Sequence, residues 1–260
     1  MKINAFAESD RTSSRFGGLI GYWLSEAGTK VASAPKFRQM ELSLKKFVVL
    51  CYATDELLQD AALLDQTLRQ GFSEELALRL DDSIIRGSGA GQPLGILNSG
   101  CLVSVARTTP STIVTADIMS MWGRLLPGSH KNAVWVVNPD SLPTLYQLTV
   151  SVGTAGGQTV FIPGGTIQGV PYSTLLGRPL IVSEVGSSLA TAGSLILADF
   201  TCYGIITKGT KVDTSMHLAY LTDESIYRGV TRIDGQPLLS SSVVPFKGAN
   251  ALSAFVSLAA

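Results

Sequence analysis

The chain has 260 residues and a mass of 27.5 kDa, enough for one large domain or two lobes without disulfide staples. Hydrophobic residues make up 45% and charged residues only 15%, against roughly 25% charged in typical soluble domains, so lipid, a partner or further copies are expected to cover the surface. A formal net charge of zero argues against gripping nucleic acid by bulk electrostatics, and no apolar stretch reaches the roughly 18 to 20 residues of a membrane span.

In chain order, Glu8, Asp10 and Arg11 fall where a secretory signal needs an unbroken apolar region, so a cytosolic origin is expected. Residues 1–18 are polar, rich in Ser and Arg, and read as an arm that orders on another surface. Two β-prone runs follow, Leu19 to Leu24 and Met40 to Tyr52, separated by Gly28 to Lys36. The alternation of Met40, Leu42 and Leu44 with Glu41, Ser43 and Lys45 has the strand period of two. Together they predict a long two-stranded ribbon, marginal alone in water and therefore in need of support from other copies.

From Asp55 to Arg86 the period changes. Leu57, Ala61, Leu64, Leu68, Phe72, Leu76, Leu80 and Ile84 form one stripe of an amphipathic helix, with Thr54 and Asp55 suited to its start. Gly71 is its weak point, leaving one kinked helix or two in tandem open. Gly87 fits the C-terminal cap and Pro93 forbids continuation. The following glycines do not make a phosphate loop, because Gln92 stands where glycine is needed and the run follows a helix instead of opening one.

Beyond Thr108, helices are expected at Thr115 to Leu126 and Leu142 to Leu148, a buried strand at Ala133 to Val137, and a loop or hairpin at Gly153 to Gly169. Further strands are expected at Pro179 to Ser183, Ser194 to Asp199, Tyr203 to Thr207, Val212 to Leu221, Ser225 to Ile233 and Ser242 to Phe246. Runs of strands after one long helix give an α+β fold class.

Charge is unevenly placed. Residues 1–54 carry eight basic and four acidic groups, a net +4, whereas residues 55–86 carry eight acidic and three basic groups, a net −5. Self-complementarity between subunits and two ordinary solvated faces are both compatible with this. The chemistry-bearing residues are sparse: Cys51, Cys101 and Cys202 lack CxxC spacing and read as buried thiols, and His130 and His217 stand apart from them. Adjacent carboxylates at Glu74/Glu75 and Asp81/Asp82 point about 100° apart on a helix and cannot flank one bond. Trp23, Trp122 and Trp135 sit in apolar runs, and core packing is expected for all three. No catalytic, cofactor or metal constellation emerges.

The run TDELLQDAALLDQTLRQGFSEELALRLDDSIIRGSGAGQPLGIL resembles the most recognisable stretch of tailed-bacteriophage major capsid proteins, those with the fold named for phage Hong Kong 97. The family's "ELL-D" motif is matched by Glu56, Leu57, Leu58 and Asp60, and its "G-G-QP-GI" turn by Gly87, Gly89, Gln92, Pro93, Gly95 and Ile96. NAVWVVNPDSLPTLYQL, GRPLIVSE, ILADFTCYGI and VTRIDGQPL follow in the family's order, so the resemblance covers about residues 15–247.

The resemblance implies an arm at 1–18 and an extended β-hairpin loop at 19–53. It implies a peripheral domain at 54–112 and 211–237 with a spine helix at 55–86, and an axial domain at 113–210 and 238–260. It further implies pentamers and hexamers closing into an icosahedral shell around double-stranded DNA, assembled in the bacterial host cytoplasm, with portal, scaffold and cement proteins as partners and no cofactor. The ribbon of one subunit is expected to lie over a neighbour's spine helix, with Lys30, Lys36, Arg38, Lys45 and Lys46 facing Asp60, Asp65, Glu74 and Glu75. Many relatives begin with a scaffolding segment removed by a protease, so a separate scaffold or an already processed chain is expected here. Some relatives cross-link a loop lysine to an asparagine; Lys30 and Lys36 lie in the corresponding region, without an aligned asparagine. An encapsulin-type compartment and a small-molecule enzyme with a site between lobes are the alternatives.

Overall fold

The computed structural model describes residues 1–15, 17–54, 64–151, 157–159, 161–162, 173–219 and 223–260. In chain order the strands and helices begin with β1 (Lys2–Phe6), β2 (Phe37–Glu41), β3 (Lys45–Thr54), α1 (Leu64–Arg86), β4 (Val103–Val105), α2 (Thr115–Gly123), β5 (Val134–Val137) and α3 (Leu142–Tyr146). They continue with β6 (Thr149–Ser151), β7 (Gly157–Thr159), β8 (Phe161–Ile162), β9 (Thr174–Leu175), β10 (Arg178–Val182), β11 (Leu195–Ala198), β12 (Tyr203–Ala219), β13 (Glu224–Pro237) and β14 (Phe255–Leu258). The chain divides into two units, one of Met1, Leu42–Gly95 and Gly204–Gln236, the other of Lys2–Glu41, Ile96–Tyr203 and Pro237–Ala260. Residues 96–112 thus group with the second unit, not with the helix that precedes them, because β4 joins its sheet.

The first unit is a three-stranded sheet, β12-β13-β3, with α1 on one face. β3 and β13 pair antiparallel over ten residues, from Thr54 opposite Glu224 to Lys45 opposite Ile233. Phe72 and Leu68 of α1 pack on Val49, Cys51, Ala53 and Tyr227, so the apolar stripe faces the sheet as its spacing requires. α1 runs unbroken through Gly71, which settles the question of a restarted helix over 64–86; residues 55–63, with Asp60 and the family's first motif, lie outside the described residues.

The helix stops in a turn that only glycine permits at two points. A Cβ on Gly87 would meet Pro93 O at 2.2 Å, and one on Gly95 would meet Gly87 N at 2.4 Å. Lys45 closes the turn from the sheet: its Nζ donates to Gly89 O and Gln92 O at 2.6 Å each and pairs with Asp234 Oδ1 at 3.2 Å.

The second unit is built on a seven-stranded sheet of order β4-β14-β11-β5-β10-β9-β8. β4 and β14 pair parallel, as do β5 and β10, while β11 runs antiparallel to both its neighbours. Trp135, Val137, Leu195, Leu197, Val256 and Leu258 form its core together with Ile118 and Met121 of α2. Trp135 satisfies its indole N–H on Leu175 O at 3.0 Å, as a buried tryptophan must. Arg107 ties the end of the chain to this sheet, its Nε donating to Ala259 O at 2.8 Å.

Several expectations are corrected. The expected strand at Leu19 to Leu24 does not form, and the run Met40 to Tyr52 belongs to two strands, β2 and β3, that serve different units. Residues 1–18 contain β1, which pairs antiparallel with β2 from Lys2–Glu41 to Phe6–Phe37. The rest of the arm docks on its own unit, with Arg11 N donating to Val244 O and Ala7 N to Lys36 O. Tyr203 to Leu221, expected as two strands, is one strand as far as Ala219, and Ser242 to Phe246 contributes only isolated bridges. β14 was not foreseen, although its four residues are fully buried.

Candidate assembly surfaces

Strand alternation gives the sheet of the first unit two different faces. Phe47, Val49, Cys51 and Ala53 turn toward α1, so Lys46, Val48, Leu50 and Tyr52 turn away, and all four are exposed. Opposite them on β13 stand Arg232, Val230, Arg228 and Ile226. The outward face is therefore an apolar row bounded by cations. Arg228 is paired with Asp213 at 2.9 Å, whereas Lys46 and Arg232 are like charges directly across from one another, an unfavourable cross-strand pair.

On the other face, a groove of about 120 Å³ opens between α1 and the sheet, lined by Phe47, Val49, Phe72, Leu76, Val212 and Gly229. Ser73 lies on its rim, followed on the helix by Glu74 and Glu75. Glu75 accepts from Arg79 Nε at 2.8 Å, so its charge is compensated within the helix. Glu74 is exposed and accepts from the neutral amide of Gln70 at 2.8 Å, a bond that brings it no opposite charge.

In the second unit, residues 18–36 form a narrow excursion without regular strands. Its limbs touch through Ile20 N donating to Ser33 Oγ at 3.2 Å and Tyr22 OH donating to Val31 O at 2.6 Å, and Gly28 N to Ser25 O closes a turn at the far end. Leu19, Ile20, Tyr22, Trp23, Leu24 and Val31 are all exposed along it. Trp23 is 103% exposed, a correction to the core position expected from its apolar neighbours. Lys30 and Lys36 are exposed on the same excursion.

The expected contact residues therefore fall into three groups. Lys30, Lys36, Lys46 and Glu74 are exposed, and Glu75 is half-exposed beside Arg79. Arg38 and Lys45 are engaged at home: Arg38 Nη2 donates to Leu238 O at 2.5 Å, and Lys45 is the clamp on the glycine turn. Asp60 lies outside the described residues, and Asp65 is described only as part of the backbone of α1. The sequence reading asked for cover of this region by other copies but placed Trp23 in a core; the signal available against that was its position among Leu19, Ile20, Tyr22, Leu24 and Val31 on the segment already expected to need such cover.

A cavity of about 970 Å³ in the second unit is lined among others by Arg11, Arg15, Leu19, Phe246 and Lys247. Among the described residues no carboxylate, histidine or cysteine lines it, so those residues offer it cations and hydroxyls without a general base. Burial pushes the Cys101 and Cys202 thiols upward, away from the nucleophilic thiolate. His130 packs edge-on against Trp122 at 4.6 Å, and His217 stands exposed on β12. Among the described residues no three His, Cys, Asp or Glu side chains gather as a metal site, and no helix is long and apolar enough to cross a membrane.

The profile of the phage capsid family matches residues 8–248. The chain belongs to that family. Its fold is shared with chains from the capsids of native and empty GTA particles described with C5 symmetry, at TM-scores of 0.74 and 0.73 and identities of 14% and 16%. Those matches cover 100% of this chain and 85% and 84% of the other chains. A chain from Gordonia phage Cozz matches with TM-score 0.63 and 16% identity over 100% of this chain and 81% of its own. A comparison with curated proteins gives no match. The protein is thus a capsid shell protein with a structural role, and the α+β fold is the one named for phage Hong Kong 97. For a capsid protein, exposed apolar rows on a charge-poor chain are surfaces that assembly can bury.

Proposed function

We propose that this capsid protein is the major subunit of a tailed-bacteriophage shell, that its copies form pentamers and hexamers, and that these close into an icosahedral particle around double-stranded DNA. In this reading the unit holding α1 is the peripheral domain, the seven-stranded unit is the axial domain, and residues 18–36 are the extended loop. Portal and scaffold proteins, and cement proteins where present, complete the particle during assembly in the bacterial cytoplasm.

The observation that carries the proposal is the excursion itself. Six large apolar side chains stand in water on a segment without a regular strand, an arrangement stabilised when another surface removes them from solvent. Lys30 and Lys36 on the excursion complement Glu74 on α1, so a neighbour's helix face is the surface this reading assigns to it. The family and the capsid chains that share the fold support the same direction.

Electron microscopy of the purified protein, together with the ratio of nucleic-acid to protein absorbance, tests this. Closed shells containing nucleic acid are expected. Shells filled with protein would favour an encapsulin-type compartment, and a stable monomer or dimer that never forms shells would overturn the proposal.

A further inference from the structure

We propose that Trp23 of one copy seats in the groove between α1 and the sheet of a second copy, against Phe72, Leu76, Val212 and Gly229. The inference rests on the shell reading above and gives it an anchor residue and a receptor.

The first ground is size. At about 120 Å³ the groove holds roughly four waters' share of liquid volume. It falls well below the roughly 300 to 1,000 Å³ of small-molecule and cofactor sites. A single side chain is the occupant it suits. Phe47 and Val49 of β3, Phe72 and Leu76 of α1 and Val212 of β12 supply its apolar lining beside the hydroxyls of Ser73, Thr210 and Thr231, and a Cβ on Gly229 would make ordinary contact with Val49 at 3.9 Å and Phe72 at 4.0 Å.

The second ground is supply. Trp23 presents its whole indole to solvent near the far end of an excursion, flanked by the exposed Tyr22 and Leu24. Among the described residues the other aromatic side chains more than half exposed fit the role less well: Phe37 and Tyr52 are held in strands, Tyr146 ends α3, and Phe246 lies beneath Lys247 Nζ at 5.3 Å. Tryptophan is also the residue type most often found carrying the binding energy at the centre of an interface, in a pocket that excludes water.

The third ground is charge. Glu74 follows Ser73 on the groove's rim, and Lys30 lies seven positions beyond Trp23 on the return limb of the excursion. Seating the indole brings the cation of Lys30 and the exposed carboxylate of Glu74 toward each other at the edge, which fixes register more than it adds affinity.

The test uses the full chain. Trp23→Ala removes only an exposed side chain, so the subunit's circular dichroism and melting are expected to be unchanged while particle yield falls at least tenfold; Trp23→Phe should retain most of the yield. Gly229→Leu fills the groove from the receiving side and is expected to lower yield similarly. In a side-chain-level structure of wild-type particles, indole density should lie between Phe72 and Val212 of a neighbouring copy. Wild-type protein that forms no particles would sink the shell reading itself. If wild-type particles form, equal yield from Trp23→Ala, or an indole lodged elsewhere, including in its own subunit or the cavity beside Phe246, overturns this inference alone.

Discussion

Lys45 and Lys46 are adjacent and chemically identical, yet they do opposite things, and the strand between them decides which. Lys45 turns toward α1, where its ammonium bridges Gly89 O, Gln92 O and the buried Asp234, whose other oxygen accepts from Ser43 N at 2.8 Å. Removing the ammonium leaves that carboxylate without its counter-charge and frees the turn that ends α1. Lys45→Ala is therefore expected to cost about 1.5 to 3 kcal/mol of stability, the range for hydrogen bonds to charged groups, as a lowered denaturant midpoint. Lys30→Ala, on the exposed excursion, should stay within about 0.5 kcal/mol of wild type in the same measurement. An unchanged midpoint for Lys45→Ala would show that the clamp does not hold the turn. Periodicity placed the two lysines on opposite faces; the sequence carried no sign of which face the helix would cover.

At the scale of elements, what was legible followed from local pattern, and what was not depended on distant partners. The stripe Leu68, Phe72 and Leu76 fixes α1 because every residue in it meets the same sheet. Leu19 to Leu24 has strand-forming residues but no strand beside it, and β propensity without a pairing edge does not make a strand. β14 shows the reverse case: four residues near the end of the chain become buried because β4 and β11 flank them. The outward face of the three-stranded sheet yields a prediction in which stability and assembly move apart. Lys46→Glu replaces a like-charge pair with an opposite one across from Arg232, so the subunit should gain about 0.2 to 1 kcal/mol. If Lys46 contacts an acidic neighbour, particle yield should fall nonetheless. A fall in yield accompanied by a fall in stability would instead mark ordinary misfolding, and an unchanged yield would remove Lys46 from the contact set.

Over the whole molecule, zero net charge conceals a separation into a basic leading segment and an acidic stretch, and the structure narrows which charges are free to act between copies. Arg38 and Lys45 are held by their own subunit and Glu75 is matched by Arg79, so among the described residues of the expected set Lys30, Lys36, Lys46 and Glu74 remain exposed, and the first two share the excursion. Reversing Arg38 would disturb the bond to Leu238 O as well as any contact between copies, which makes it a poor probe of assembly. The pair Lys30→Glu with Lys36→Glu lacks that defect, since both side chains are exposed. These reversals should slow assembly by roughly tenfold at low salt, followed by light scattering. The difference should shrink as ionic strength rises to about 1 M, where screening acts within about 3 Å. Adding Glu74→Lys to the same chain restores opposite charges in every copy-to-copy contact of this kind and should recover most of the rate. Reversed variants that assemble at the wild-type rate in low salt would place the excursion away from α1, and a triple variant slower than the double would show that Glu74 is not its counterpart.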